Sequence, residues 1–174
     1  MKKITLIIIA SVFFGLAGQK LNAQELKFGH IDSDELIRSL PDYDTAVARL
    51  ERFYRELNNN LEILQVELNN KFVAYEREAE NLLDIVRQDR EQELHNLSNR
   101  IQEYQQTAQQ LYQDRQAEYF QPIMEKIDRA IKDVGRENGF IYIFIVGQQS
   151  SVIYFDEAKS TDIMSLAKAK LGIK

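Results

Sequence analysis

The chain has 174 residues, no cysteine and a formal net charge of −5. The absence of cysteine excludes disulfides and thiolate metal sites. The acidic balance argues against binding nucleic acid or an anionic membrane through bulk charge.

Lys2 and Lys3 precede an apolar run from Ile4 to Ala17, and Leu21-Asn22-Ala23 then offers a small residue for cleavage. This pattern predicts a secretory signal peptide over residues 1–23. The apolar run is shorter than the ~20 residues a membrane-spanning helix needs. No cysteine follows it, so no thiol is available for lipid attachment. Residues 1–23 carry three of the 22 basic residues and no acid, which leaves 19 basic against 27 acidic residues, a net charge of −8. Residues 24–174 are the length of one domain, with no further membrane span expected.

Leu26 to Ile31 reads as a short strand. Asp32 and Glu35 have capping-box spacing, which predicts a helix over Ser33–Ser39. Pro41 suits the first position of the next helix, and Asp42 and Asp44 favour its dipole. From there to Pro122 no glycine or proline occurs across 80 residues. Apolar residues recur at Leu50, Tyr54, Leu57, Leu61, Leu64, Leu68, Phe72, Tyr75, Ala79, Leu82 and Val86. Their mean spacing of about 3.6 keeps one stripe on a nearly straight helix. Leu94, Leu97, Ile101, Tyr104, Ala108 and Leu111 alternate threes and fours, the heptad of a coiled-coil seam. The apolar face then widens through Tyr119, Phe120, Ile123, Ile127, Ile131 and Val134. Two long helices folded back on each other are the simplest reading, with the tip near Asn81–Gln88, where the stripe changes phase. The Gln-rich run Gln105, Gln106, Gln109, Gln110, Gln113 and Gln116 reads as a solvated helix face.

Gly135, Asn138 and Gly139 close the second helix. Phe140–Val146 and Val152–Phe155 are predicted strands joined by a turn, and a last helix is expected over Asp162–Leu171, with Ile163, Leu166, Ala167 and Leu171 inward. The fold expected is therefore α+β: a helical hairpin arm (45–119) projecting from a small β body (24–44 and 120–174). The body strands are apolar on both faces, so both need cover. A second copy of the chain is the simplest source. Ile141, Ile143, Ile145, Val152 and Tyr154 are the candidate interface residues, and Ile143→Glu is expected to break assembly.

No nucleophile triad context, phosphate loop or metalloprotease motif occurs, and no catalytic, metal or cofactor site is expected. The two histidines, His30 on a strand and His95 on the arm, are not brought together by any pattern. Asn96-Leu97-Ser98 fits a glycosylation sequon, a three-residue match inside a helix.

Three segments resemble the Skp/OmpH family of periplasmic chaperones. They are Phe28–Asp32 with Leu40–Tyr43; Pro122–Ile127 with Ala130-Ile131 and Glu137–Phe140; and Val152–Phe155 with Asp162-Ile163. Their order around a long hairpin carries the resemblance across residues 24–174. It implies a homotrimer with a β-barrel core and three helical tentacles. It further implies a periplasmic holdase that works without ATP and binds unfolded outer-membrane proteins in a cavity between the arms. Leu61, Leu68, Phe72, Tyr75, Leu97 and Tyr104 mostly close the hairpin and are the candidate client-binding residues. The alternative is an envelope adaptor whose coiled coil binds one folded partner. Familiar members are basic, whereas this chain is acidic, so no lipopolysaccharide site is carried over. Met164 stands where the family often has threonine after Asp-Ile.

Overall fold

The computed structural model describes residues 26–147 and 150–173. The expected signal peptide over 1–23 lies outside the described residues. Strand β1 (Phe28–Asp32) leads into α1 (Ser33–Arg38), then α2 (Pro41–Glu78). A single 3₁₀ turn (Ala79–Asn81) precedes α3 (Asp84–Asn138), followed by β2 (Tyr142–Val146), β3 (Ser160–Asp162) and α4 (Met164–Leu171). Among the described residues no helix is long and apolar enough to cross a membrane.

Local chemistry sets these boundaries. The Asp32 carboxylate accepts the N–H groups of Asp34 and Glu35, each at 3.0 Å, so it caps α1. Glu35 does not complete the box; its carboxylate lies 3.8 Å from Lys168. Pro41 opens α2, with Asp42 and Asp44 in the first turn. Gly139 ends α3 in the left-handed conformation at φ 69°, where a Cβ is disfavoured. Gly135 lies inside α3, and Pro122 does not end that helix. The reversal between the arms falls at the start of the expected tip, Asn81–Gln88, with Leu82 and Leu83 extended and Asp84 already helical. Val86 thus starts the second helix instead of ending the first.

The sheet corrects the expected strand pair. It has three strands in the order β2-β1-β3, with both neighbours parallel to β1, and it is open, not a closed barrel. Val152–Phe155 is not a strand. These residues have strong β-propensity but pair with neither outer edge of the sheet, and propensity alone forms no ladder. Ser160–Asp162 takes the third position instead, Phe28 to His30 lying opposite it. Between β2 and β3 the chain crosses the outer face of β1, where the Phe155 ring sits 4.5 Å from the His30 ring. His30 Nδ1 is also 2.9 Å from Ser160 Oγ.

The inner sheet face packs on the helices. Ile31, Leu36, Leu40, Ala46, Ile123, Ile127, Val134, Ile163 and Ala167 form one buried core. It joins the β1 face to the root of both long helices and to α4. Leu166, expected inward, is exposed on α4. Gly29 makes the close packing possible. A Cβ there would meet Ile163 Cγ2 at 3.1 Å, Phe140 Cδ1 at 3.2 Å and Ile143 Cγ1 at 3.3 Å.

Candidate functional surfaces of the arm and body

The arm is two helices thick and no more. Its seam centres on Leu64, Leu97 and Ile101, with Leu61, Leu68 and Tyr104 packed around them. The Tyr104 hydroxyl crosses the seam to the Leu57 carbonyl at 3.2 Å. Nearer the tip Lys71 donates to Glu93, and Tyr75 donates to Glu91 at 2.6 Å. The Lys71 and Arg90 hydrogen bonds hold the Glu93 carboxyl below its ordinary range. The hydrogen bond to Glu91 raises the Tyr75 phenol.

Five of the six candidate client-binding residues therefore serve the hairpin itself. Leu97 is buried; Leu61, Leu68 and Tyr104 are half-buried against it; Tyr75 is tied to Glu91. Phe72 is the exception and stands largely exposed. The apolar residues that face solvent are mostly others: Ile63 and Val66 on α2, and Leu83 and Ile85 at the tip. Ile63, Val66 and Val73 follow i, i+3, i+10 spacing, which places them on the face opposite the seam. That second stripe was open to detection by the same periodicity that found the first.

Two hollows interrupt the seam on its flank. One, of about 290 Å³, has walls of Tyr54, Leu57, Leu61, Tyr104, Ala108 and Tyr112, with Asn58, Gln105 and Gln109 at the rim. Tyr54 and Tyr112 meet edge to face at 5.7 Å. The other, of about 490 Å³, is bounded by Leu68, Phe72 and Ile101, with Gln65, Asn69 and Ser98. Neither is lined by a charged residue.

On the body, Ile141, Ile145 and Tyr154 are exposed and Val152 is half-buried. Ile143, expected at an interface, turns inward and packs against the body's own core. It lies on the inner face of β2, and a Cβ on Gly135 would come within 3.2 Å of its Cδ1. Ile153, absent from the candidates, is fully exposed at 101%. On the outer sheet face Phe28, Tyr142 and Phe144 form an aromatic row, with ring centroids 6.3 and 6.1 Å apart. His30 and His95 remain apart on body and arm, and no cluster of candidate metal ligands occurs among the described residues.

The family described as outer membrane protein (OmpH-like) matches residues 27–171. The chain belongs to that family. The OmpH-like fold also has a solved counterpart, a protein from Caulobacter crescentus described as an OmpH-like outer membrane chaperone. The two share a TM-score of 0.70 at 16% sequence identity, over 84% of this OmpH-like chain and 83% of the other. No curated protein matches the sequence.

Proposed function

We propose that this OmpH-like protein is an ATP-independent holdase of the periplasm. It binds unfolded outer-membrane proteins between its arms and keeps them from aggregating. The observation that carries this reading is an arm with apolar side chains left open to solvent, at Ile63, Val66 and Phe72. Such an arm can cover a greasy, unfolded chain by many weak contacts spread along its length. Family membership supports the chaperone role, and the description of the Caulobacter protein agrees with it.

The assembly proposed is a homotrimer. Ile141, Ile145, Ile153 and Tyr154 are exposed on one small body, and the two sheet edges are open to further pairing. A second copy would cover the first and cap the second. Residues 1–23 would direct the chain across the inner membrane and be removed.

The exposed tip, with Leu83 and Ile85, is the one feature that favours the adaptor reading, because a small apolar tip suits one fixed docking site. Native mass spectrometry of residues 24–174, alone and after dilution of a urea-unfolded outer-membrane barrel protein, tests both. A trimer that takes up one client chain and keeps it soluble supports the holdase. A trimer that ignores the client transfers the role to the adaptor, and a monomer removes the assembly.

A further inference from the structure

The two flank hollows share a geometry that the seam alone does not require. Asn58, Gln65 and Asn69 stand at i, i+7 and i+11 on α2, and Ser98, Gln105 and Gln109 stand at the same spacing on α3. That spacing returns to one helix face, so both rims run along the same side of the arm. None of these six side chains makes a hydrogen bond to another described residue. Other amides on the arm do pair, Gln92 with Asn96 and Gln110 with Asp114. The rim thus holds free donors and acceptors above an apolar floor.

Charge sets this side apart. The chain is 28% charged, yet residues 104–113 carry no charge, nor do 57–61. A hollow at the root of the arm is lined by Asp42, Arg49, Lys126 and Arg129, and one near the tip by Lys71, Glu78, Arg90 and Glu93. An acidic protein repels acidic partners over most of its surface, and the two hollows, neither lined by a charged residue, are where a chain of either sign comes closest.

We infer that this side of the arm is a track for an extended, unfolded polypeptide, whose apolar side chains enter the two hollows while its peptide groups bond to the rim amides. The inference rests on the holdase reading and specifies how the arm grips. Size supports it, since an apolar cavity of about 150 Å³ already admits benzene. Length supports it as well. The hollows are about 11 residues apart along α2, or roughly 16 Å at 1.5 Å per residue. An extended chain covers that distance in about four to five residues at ~3.3 Å each, and its side chains four apart share a face. Amide rims recognise the backbone and not the sequence, which suits a binder of many clients.

The protein has no tryptophan, so a peptide's tryptophan emission reports binding without background. Uncharged Gly/Ser peptides carrying one tryptophan, two adjacent, or two four residues apart are titrated with residues 24–174. The track requires at least tenfold tighter binding, with a blue shift, for the four-residue spacing. Ala108→Leu fills the first hollow and Ser98→Leu the second; each should reduce that peptide to the one-tryptophan affinity. Tyr54→Ala, which removes an exposed wall, gives the same loss should a filled variant not retain its helicity. Equal affinity for all three peptides, or unchanged binding by the variants, overturns the track. Suppression of client turbidity by the unaltered protein separates the two ideas. A client kept soluble without spacing dependence removes the track and leaves the holdase; spacing dependence without client protection leaves the track and removes the holdase.

Discussion

Three glycines should respond to alanine differently, because three different physical conditions hold them. Gly29 does not have a positive φ, so alanine meets no backbone strain there and the cost is purely steric. The new methyl would lie 3.1, 3.2 and 3.3 Å from Ile163, Phe140 and Ile143, inside ordinary carbon contact distance. These three side chains come from three places in the chain, so relief requires moving both flanking strands. Overpacking of this kind costs about 1–3 kcal/mol, against about 0.4–1 kcal/mol gained by restricting the unfolded chain. The net expectation for Gly29→Ala is a loss of about 1–2 kcal/mol. With a urea slope of about 1–3 kcal/mol per molar, the midpoint falls by roughly 0.5–1 M. Gly135→Ala is the control. Its methyl meets only the flexible end of Ile143 at 3.2 Å, and the helix interior favours alanine by about 1 kcal/mol, so stability should hold or rise. Gly139→Ala meets nothing within 4 Å but sits at φ 69°, and should lose about 1 kcal/mol from strain alone. The assay is urea unfolding by circular dichroism at one protein concentration, since assembly would add a concentration term. A Gly29→Ala midpoint at or above that of the unaltered protein refutes the packing argument.

Other outcomes follow from the same geometry. Asp32→Ala removes the cap of α1 and should cost about 1 kcal/mol, restored largely by Asp32→Asn, as thermal unfolding would show. Leu64→Ala and Ile101→Ala hollow the arm seam and should cost about 2–3 kcal/mol. Hydrogen exchange should place the loss in α2 and the first half of α3, with body amides little changed. The depressed carboxyl of Glu93 stabilises the charged, folded arm. That contribution is complete above the ordinary carboxylate pKa of 4.5 and is lost as pH falls below it. Protection near Lys71, measured against the intrinsic exchange rate at each pH, should therefore fall on acidification, and Glu93→Gln should abolish that fall. Ile145→Glu and Tyr154→Asp place charge on exposed body residues, so they should split a trimer while leaving the single-chain circular dichroism intact; an unchanged native mass would refute the proposed interface.

The arm was legible because its signals are local. A long stretch without glycine or proline, Pro41 at a helix start and Gly139 at a helix end each act within a few residues. The tip was harder, since Ala79–Leu83 reverses the chain with no glycine or proline to mark it. The sheet was least legible. Ser160-Thr161-Asp162 is too short and polar to announce a strand, and it becomes one only because β1 lies beside it. Val152–Phe155 has the composition of a strand and joins neither outer edge of the sheet. The candidate arm residues illustrate a similar limit. Periodicity identifies the face that turns inward, and on a two-helix arm that face is the seam. Leu61, Leu97 and Tyr104 were found by the same property that closes them off, while Ile63 and Val66 lie on the side that the main stripe does not predict.

The central strand of the body belongs to the beginning of the chain, and both of its neighbours belong to the end. Phe28 pairs with Tyr142, which is 142 less 28, or 114, residues later. Synthesis runs from the first residue, so the hairpin between them is complete before either partner of β1 exists. A helical hairpin assembles in microseconds to milliseconds, whereas adding residues 33–160 takes on the order of ten seconds at 5–20 residues per second. The arm is therefore an early product and the sheet a late one. Folding the arm also brings Ser33 and Asn138 to the same end of the molecule, so the long gap in sequence becomes a short gap in space. A chain cut short after Gly139 would keep both arm helices and leave β1 with two bare edges, so the body can form only when the last thirty-five or so residues have arrived.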